Sequence, residues 1–210
     1  MSVSSSQAAP TGVADVPESA GPAEFKTLMT WRGVGADRLE QVRLHVAGDR
    51  VKAYGRIIAA ASGDREAFSA SYELITNDAG VTKRLSVHLV RADGESQLRI
   101  ARDEEGNWLV DDGSDDKLRS DFGGAQDVDL ALSPMFNALP IRRMGLAATE
   151  GGTDLPVAYV HLPSGTVEPA TLHYTVDTDG IHVVSPLADS RLTIDDNGFV
   201  IDYSDLATRV

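Results

Sequence analysis

The stretch VRLHVAGDRVKAYG, residues 42–55, sets the pattern of the fold. Every second residue from Val42 to Val46 is apolar, so the apolar side chains fall on one face of an extended strand. Gly48-Asp49 is a typical turn pair, and the alternation resumes at Val51. Two alternating runs joined by so short a turn predict neighbouring antiparallel strands rather than a βαβ unit.

The same pattern of strand and turn extends along most of the chain. Further alternating runs begin near Phe68, Leu85, Leu98, Trp108, Val157, Leu172, Leu192 and Phe199. A meander of about ten strands is too large for a flat open sheet and tends to curl. Helix is confined to the segment 133–144 and a short turn at 204–209. We therefore predict a mostly β fold of the α+β kind, built on a curved antiparallel sheet of about ten strands.

Composition and charge narrow the function classes. Hydrophobic residues make up 42% of the chain and charged residues 24%, which predicts a packed core. A formal net charge of −13 repels nucleic acids and anionic membrane surfaces, so we expect neither as a partner. The chain has no cysteine, and its five histidines are scattered without a ligand motif. We therefore expect no metal site and no cofactor.

The N-terminal region differs from the rest. Residues 1–24 are rich in Ser, Ala, Pro and Gly without hydrophobic periodicity, which predicts a disordered tail before one domain over residues 25–210. We expect Leu28 and Trp31 to be the first core residues. There is neither a secretory signal pattern nor an apolar run of about 18 residues, so we expect a soluble cytoplasmic protein without membrane insertion. The oligomeric state stays open.

The most distinctive stretch is GGAQDVDLALSPMFNALPIRRM, residues 123–144. Ser133 followed by Pro134 favours the start of a helix, and Pro140 should end or kink that helix early. The stretch resembles the motif of the putative glycolipid-binding family, in which an Asp-Val/Ile-Asp-Leu strand leads through Ser/Thr-Pro to Asn-x-Leu-Pro-Ile-Arg-Arg. The matching positions are Asp127, Asp129, Leu130, Ser133, Pro134, Asn137, Leu139, Pro140, Ile141, Arg142 and Arg143.

The resemblance covers residues 28 to 209 and implies more than the periodicity does. It implies a half-barrel with a short helical element across its mouth, similar to periplasmic lipoprotein carriers and mycobacterial lipid-carrier lipoproteins. It also implies lipid or glycolipid binding, a function inferred for the family from that fold. This chain has Ala125 where the family has Cys, and Phe136 and Ala138 where Thr is frequent, so it lacks the thiol and the two hydroxyl groups at those positions.

Asp127 and Asp129 support two hypotheses. Two residues apart on a strand, they point the same way about 6.6 Å apart, a spacing that suits paired carboxylates of a glycosidase. They could instead pair with Arg142 and Arg143 and fix the connection that follows. We favour the second hypothesis, because arginine forks match carboxylates in geometry and charge.

Other residues of the segment are candidate ligand contacts. Arg142 and Arg143 could hold an anionic lipid head group. Asn137 is either a buried turn-former, which we favour, or a head-group contact. Trp108 and Tyr159 are expected in the core and are kept as candidate ligand-binding residues.

These observations lead to a leading hypothesis and three alternatives. An open apolar concave face is costly in water, and an acyl chain gains about 0.8 kcal/mol per buried CH₂. We predict a lipid- or glycolipid-binding or carrier protein without catalysis, its ligand tail on the concave face with Arg142, Arg143 and Asn137 near the mouth. The alternatives are an enzyme on sugars or glycolipids that uses Asp127 and Asp129, a protein-interaction module, and a sheet that closes on its own side chains.

Overall fold

The computed structural model describes residues 24–148 and 150–210, which form fifteen strands, one α-helix and two short 3₁₀ helices. The strands are β1 Glu24–Gly33, β2 Arg38–Ala47, β3 Arg50–Ala59, β4 Phe68–Thr76, β5 Thr82–Arg91, β6 Gly94–Arg102, β7 Trp108–Asp111, β8 Leu118–Ser120, β9 Asp127–Leu130, β10 Gly151–Val160, β11 Val167–Asp177, β12 Gly180–Val184, β13 Asp189–Ile194, β14 Val200–Tyr203 and β15 Ala207–Arg209. Helix α1 is Ala138–Met144, and the 3₁₀ helices are Pro134–Asn137 and Leu146–Ala148.

All fifteen strands belong to one curved, unclosed sheet in the order β8-β7-β6-β5-β4-β3-β2-β1-β15-β14-β13-β12-β11-β10-β9. Neighbours pair antiparallel, except that β9 and β10 pair parallel. In the middle of the sheet β1 pairs with β15, so the C-terminal strand joins the two arms. The edges are β8 and β9, and the mostly β, curved antiparallel fold is confirmed.

The predicted number of about ten strands was wrong. The strands that the alternation pattern missed are β1, β8, β9, β12 and β15. Strands β8 and β15 have 3 residues each, too few to display a period of two. The segment 204–209, predicted as a helical turn, contains a tight turn followed by β15.

The alternation itself places the core correctly. In the quoted hairpin Val42, Leu44 and Val46 are buried on the inner face of the sheet, as the period of two predicts. Trp31 is also buried, but Leu28 was wrongly expected in the core and is 60% exposed. The two residues lie three apart on β1, so their side chains point to opposite faces.

The concave face is covered by the chain that follows β9. Residues 134–144, here called the plug, bury Met135, Phe136, Leu139 and Ile141, each at most 2% exposed. The plug contacts both arms of the sheet, because Phe136 packs on Tyr72 of β4 with ring centroids 5.3 Å apart and Asn137 bonds to β11. A short helical element is therefore present, as the resemblance implies.

Pro140 does not end the helix as predicted. The chain changes from a 3₁₀ to an α conformation at Asn137, and α1 continues to Met144. Pro140 is therefore in the first turn of α1, where its missing N–H is not needed. Ser133 occupies the cap position before the 3₁₀ helix, but its side chain makes no capping bond.

The predicted disordered tail, apart from Glu24, lies outside the described residues. Within the two described ranges, no helix is long and apolar enough to cross a membrane.

Candidate functional site

The predicted pairing of acids with arginines is present for one pair. Arg143 donates a 2.5 Å hydrogen bond to Asp127 and a 2.7 Å bond to Gln126. The pair joins the end of α1 to the start of β9, and the side chain of Asp127 is only 3% exposed. Burial raises the pKa of Asp127, while Arg143 opposes that rise. We call Asp127 and Arg143 the clasp.

Arg142 does not pair with either aspartate. Its guanidinium donates to the carbonyl oxygen of Gly48 at 2.7 Å and to that of Asn197. It also lies over the ring of Phe199 at 5.3 Å. Arg142 thus fastens the turns β2–β3 and β13–β14 to the plug, and the expected bond from Arg142 to Asp129 is absent from the described residues.

Asp129 faces a very small cavity instead. The side chains of Ser133, Asn137, Tyr159, Ser185 and Tyr203 also line this cavity, which has a volume of about 20 Å³. That volume suffices for roughly one water molecule. Burial, with smaller contributions from the nearby charges of Asp127 and Glu40, raises the pKa of Asp129 to about 7, although the Leu130 backbone N–H opposes the rise.

A second buried acid, Glu40, was missed by the sequence analysis. Its Oε1 accepts a 2.6 Å hydrogen bond from the hydroxyl of Tyr72 and another from the hydroxyl of Ser133. Its Oε2 is buried without a hydrogen-bond partner among the residues that the structure describes. Burial raises the pKa of Glu40 to about 7, against the opposing effects of Ser133, Tyr72 and Arg38.

The sequence did carry a signal for Glu40. It lies two residues before Val42, so its side chain points to the same inner, apolar face of β2. A carboxylate at such a position calls for hydrogen-bonding partners inside the protein, and the partners come from β4 and the entry to the plug. Glu40, Tyr72, Ser133 and Asp129 are called the acid cluster below.

The remaining predicted residues are buried. Asn137 is 5% exposed and accepts a 2.8 Å hydrogen bond from the hydroxyl of Tyr174. Tyr159 and Trp108 are each 1% exposed, and Trp108 donates to the carbonyl oxygen of Ala125 at 3.1 Å.

The departures from the family pattern fit their surroundings. Ala125 and Ala138 are fully buried, and Phe136 packs on Tyr72, the residue that holds Glu40. The apolar side chain at each of these positions therefore adds to the core. The hydrogen bonds of the acid cluster do not involve these three side chains.

A larger cleft opens where the sheet fails to close. It lies between the β5–β8 end of the sheet and the β10–β11 turn, and its volume is about 360 Å³. The apolar part of its wall consists of Leu89, Leu98, Val110, Leu118 and Val167. The polar part consists of Arg91, Ser96, Gln97, Asp112, Asp116, Ser164 and Thr166, together with the backbone of Gly165. We call this the seam cleft.

The turn that roofs the seam cleft is anchored to the opposite arm. Arg91 of β5 donates a 3.1 Å hydrogen bond to the carbonyl oxygen of Pro163. Gly165 lies so close to Leu89 that a Cβ atom at position 165 would be 2.9 Å from its methyl group. These contacts join the β10–β11 turn to β5.

Asp127 and Asp129 are not placed as the paired acids of a glycosidase would be. A glycosidase needs two carboxyl groups with access to the sugar. Asp127 is held by Arg143, and the cavity beside Asp129 has room for about one water molecule. No group of three or more His, Cys, Asp or Glu side chains that could hold a metal ion occurs among residues 24–148 and 150–210.

Comparison with known proteins agrees with this fold. The sequence profile described as "Putative glycolipid-binding" matches residues 28–209. A crystal structure of a DUF1089 family protein from Pseudomonas aeruginosa superposes with a TM-score of 0.62 at 20% sequence identity, over 97% of this chain and 100% of that chain. At that identity the likeness shows the fold alone. No curated protein sequence matches the chain.

Proposed function

The chain belongs to the Putative glycolipid-binding family, and we propose that it binds a lipid or glycolipid without catalysing a reaction on it. The observation that carries this proposal is the seam cleft, whose wall combines apolar side chains with polar ones. Its volume of about 360 Å³ lies at the lower end of the range for small-molecule sites. A ligand with an apolar tail and a polar head group matches such a wall.

The seam cleft is preferred to the rest of the concave face because the plug already covers that face. Met135, Phe136 and Leu139 fill the space that a lipid tail would otherwise occupy. Leu89, Leu98 and Val110 belong to the same inner face and border the cleft beyond the plug. An acyl chain placed there would gain about 0.8 kcal/mol for each CH₂ group it buries.

The residues of the distinctive segment support this site from a distance. Arg142 and Asn137 fasten the plug to the sheet, and the clasp of Asp127 and Arg143 closes its far end. We infer that these residues, with Asp129, Tyr159 and Trp108, keep the half-barrel in shape rather than contact the ligand. The same bonds weigh against the alternative of an enzyme that uses Asp127 and Asp129 as a pair.

Two leucine substitutions test the location. Leu118 lines the seam cleft and Leu39 lies on the outer face of β2, and each is 46% exposed. In Leu118→Trp the larger side chain would occupy the cleft, whereas Leu39→Trp adds the same bulk outside it. Binding is measured by fluorescence anisotropy of a glucosyl lipid that carries a fluorescent acyl chain.

We expect Leu118→Trp to weaken binding at least tenfold and Leu39→Trp to leave it within twofold of the unchanged protein. Equal affinity in all three proteins would contradict a site in the seam cleft. Loss of binding in Leu39→Trp alone would move the site to the outer face.

A further inference from the structure

The outer face of the sheet carries a cluster of basic side chains, although the whole chain has a net charge of −13. Arg43 of β2 lies directly across from Tyr54 of β3 in the strand register. Lys52 and Arg56 lie two residues before and after Tyr54, so their side chains share its outer face at a spacing of about 6.6 Å. Leu28 of β1 lies across from Arg43 on its other side. We call these residues the basic patch.

The cations of the basic patch are not neutralised within the protein. In the part of the chain that the structure describes, no salt bridge involves Arg43, Lys52 or Arg56. The carboxylate of Glu73, on the neighbouring strand β4, is bound instead to Arg84 at 2.8 Å. Arg43 and Arg56 are exposed, and Lys52 is half-buried. An outside partner of negative charge can therefore meet all three cations.

The other arm of the sheet is acidic. Strands β10–β14 carry one arginine and no lysine, and that residue, Arg191, is paired with Asp177 at 3.4 Å. Asp154 and Asp189 add exposed carboxylates, each bonded to a histidine. Strand β3 is five strand spacings away from β13, which is roughly 24 Å along the sheet. At physiological ionic strength the Debye length is about 8 Å, so the acidic arm is largely screened from the basic patch.

We propose that the basic patch docks the protein on an anionic bilayer surface, with Leu28 and Tyr54 in the head-group layer. Leu28 is 60% exposed and Tyr54 46%, and Ile58, two residues beyond Arg56 on the same face, is 57% exposed. Aliphatic side chains and tyrosine rings favour the interface of a bilayer, and anionic lipids attract the cations beside them. A soluble acidic partner would pair with the cations but would gain little from the apolar side chains. The bilayer matches both parts of the patch.

Vesicle flotation with the full chain of 210 residues tests the docking. The probes are vesicles of phosphatidylcholine alone and vesicles of phosphatidylcholine and phosphatidylglycerol mixed at about two to one, in about 0.15 M and about 1 M NaCl. We expect binding to the mixed vesicles to be at least tenfold stronger at the lower salt concentration. At the higher concentration this difference should disappear, because salt screens the charges.

A pair of charge variants connects the binding to the basic patch. Arg43→Gln/Arg56→Gln should weaken binding to the mixed vesicles at least tenfold, since each Arg near an anionic surface contributes about fivefold. The control is Arg119→Gln/Arg191→Gln, which removes two exposed arginines outside the patch and changes the net charge equally. Its binding should stay within twofold of the unchanged protein.

A leucine substitution tests the apolar part of the patch. Leu28→Ser should weaken binding to the mixed vesicles at least threefold, because the leucine no longer enters the bilayer, while the dependence on salt stays the same. The control is Leu187→Ser, at a residue outside the patch that is 49% exposed, and its binding should stay within twofold.

The remaining outcomes would overturn the docking. Equal binding to both kinds of vesicle, or a preference that Arg43→Gln/Arg56→Gln does not reduce, would do so. Unchanged vesicle binding by Leu28→Ser, together with tight binding of soluble polyglutamate, would identify an acidic protein as the partner instead. A salt-sensitive dimer in sedimentation velocity, lost in the arginine variant and without vesicle binding, would identify a second copy of the chain. The seam cleft is tested separately, since the arginine variant should bind the glucosyl lipid probe within twofold of the unchanged protein.

Discussion

The hydroxyl of Tyr72 donates a 2.6 Å hydrogen bond to Glu40, and the ring that carries it lies against Gly55. A Cβ atom at position 55 would be 2.1 Å from Cζ of Tyr72. This glycine on β3 is therefore what allows the tyrosine of β4 to reach across to the acid of β2. The contact links the middle of the sheet to the acid cluster and, through Ser133, to the plug.

Gly55→Ala should therefore be strongly destabilising. The added methyl group displaces Tyr72, and Glu40 loses one of its two side-chain donors while staying buried. Overpacking and the lost bond together should cost about 2–5 kcal/mol, measured by urea denaturation. The control is Gly152→Ala on β10, where the nearest atom would be 3.5 Å away, and its effect should be about 1 kcal/mol or less. Similar stability of the two variants would contradict the close approach.

The acid cluster should make the protein more stable in acid than in alkali. The pKa values of Glu40 and Asp129 are about 7 in the folded protein, above the ordinary values near 4. The folded state therefore binds these protons more tightly than the unfolded state. That contribution to stability is fully present below about pH 4 and is lost as the pH rises through about 7.

Asp129→Asn should remove part of this pH dependence. The neutral amide has no proton to lose, so the variant should gain a few kcal/mol relative to the unchanged protein between pH 5 and pH 8. Denaturation curves at both pH values check this. The control is Asp115→Asn at an exposed position, whose stability should depend on pH as that of the unchanged protein does. A variant at Asp129 with the same pH dependence as the unchanged protein would show that this carboxyl does not titrate there.

The clasp should behave as a coupled pair. Arg143→Met leaves Asp127 buried without its partner, which should cost about 3–5 kcal/mol. Asp127→Asn/Arg143→Met should cost less than the sum of its two single substitutions, with a coupling of about 1–3 kcal/mol in a double-mutant cycle. Arg84→Met, which breaks an exposed pair with Glu73, should cost about 1 kcal/mol or less. If the two single substitutions changed the free energy of unfolding in a strictly additive way, the bond between Asp127 and Arg143 would be contradicted.

The sequence predicts the inner faces of the long strands well because burial there follows a period of two. Val42, Leu44 and Val46 show this plainly. It does not predict β8 or β15, whose 3 residues form strands only because neighbours pair with them. The local pattern also does not show that Leu28 lies on the exposed face of the sheet. Strand β1 can be recognised only from its pairing with β2 and β15.

The candidate site was predictable in part. The attraction of Asp127 for Arg143 follows from charge and from the short segment that joins them. The partners of Arg142 are carbonyl oxygens of Gly48 and Asn197, which are remote in sequence and have no side-chain signature. Local sequence patterns do not reveal the seam cleft either, because its wall combines strands β5–β8 with the β10–β11 turn, which is remote from them in the sequence.

Native mass spectrometry tests the central claim, lipid binding in the seam cleft, most directly. The protein is purified from cells without detergent, together with Leu118→Trp and Leu39→Trp. We predict a bound molecule of lipid mass on the unchanged protein and on Leu39→Trp, and its loss from Leu118→Trp. Bare protein in all three samples, together with no uptake of the glucosyl lipid probe, would contradict the account.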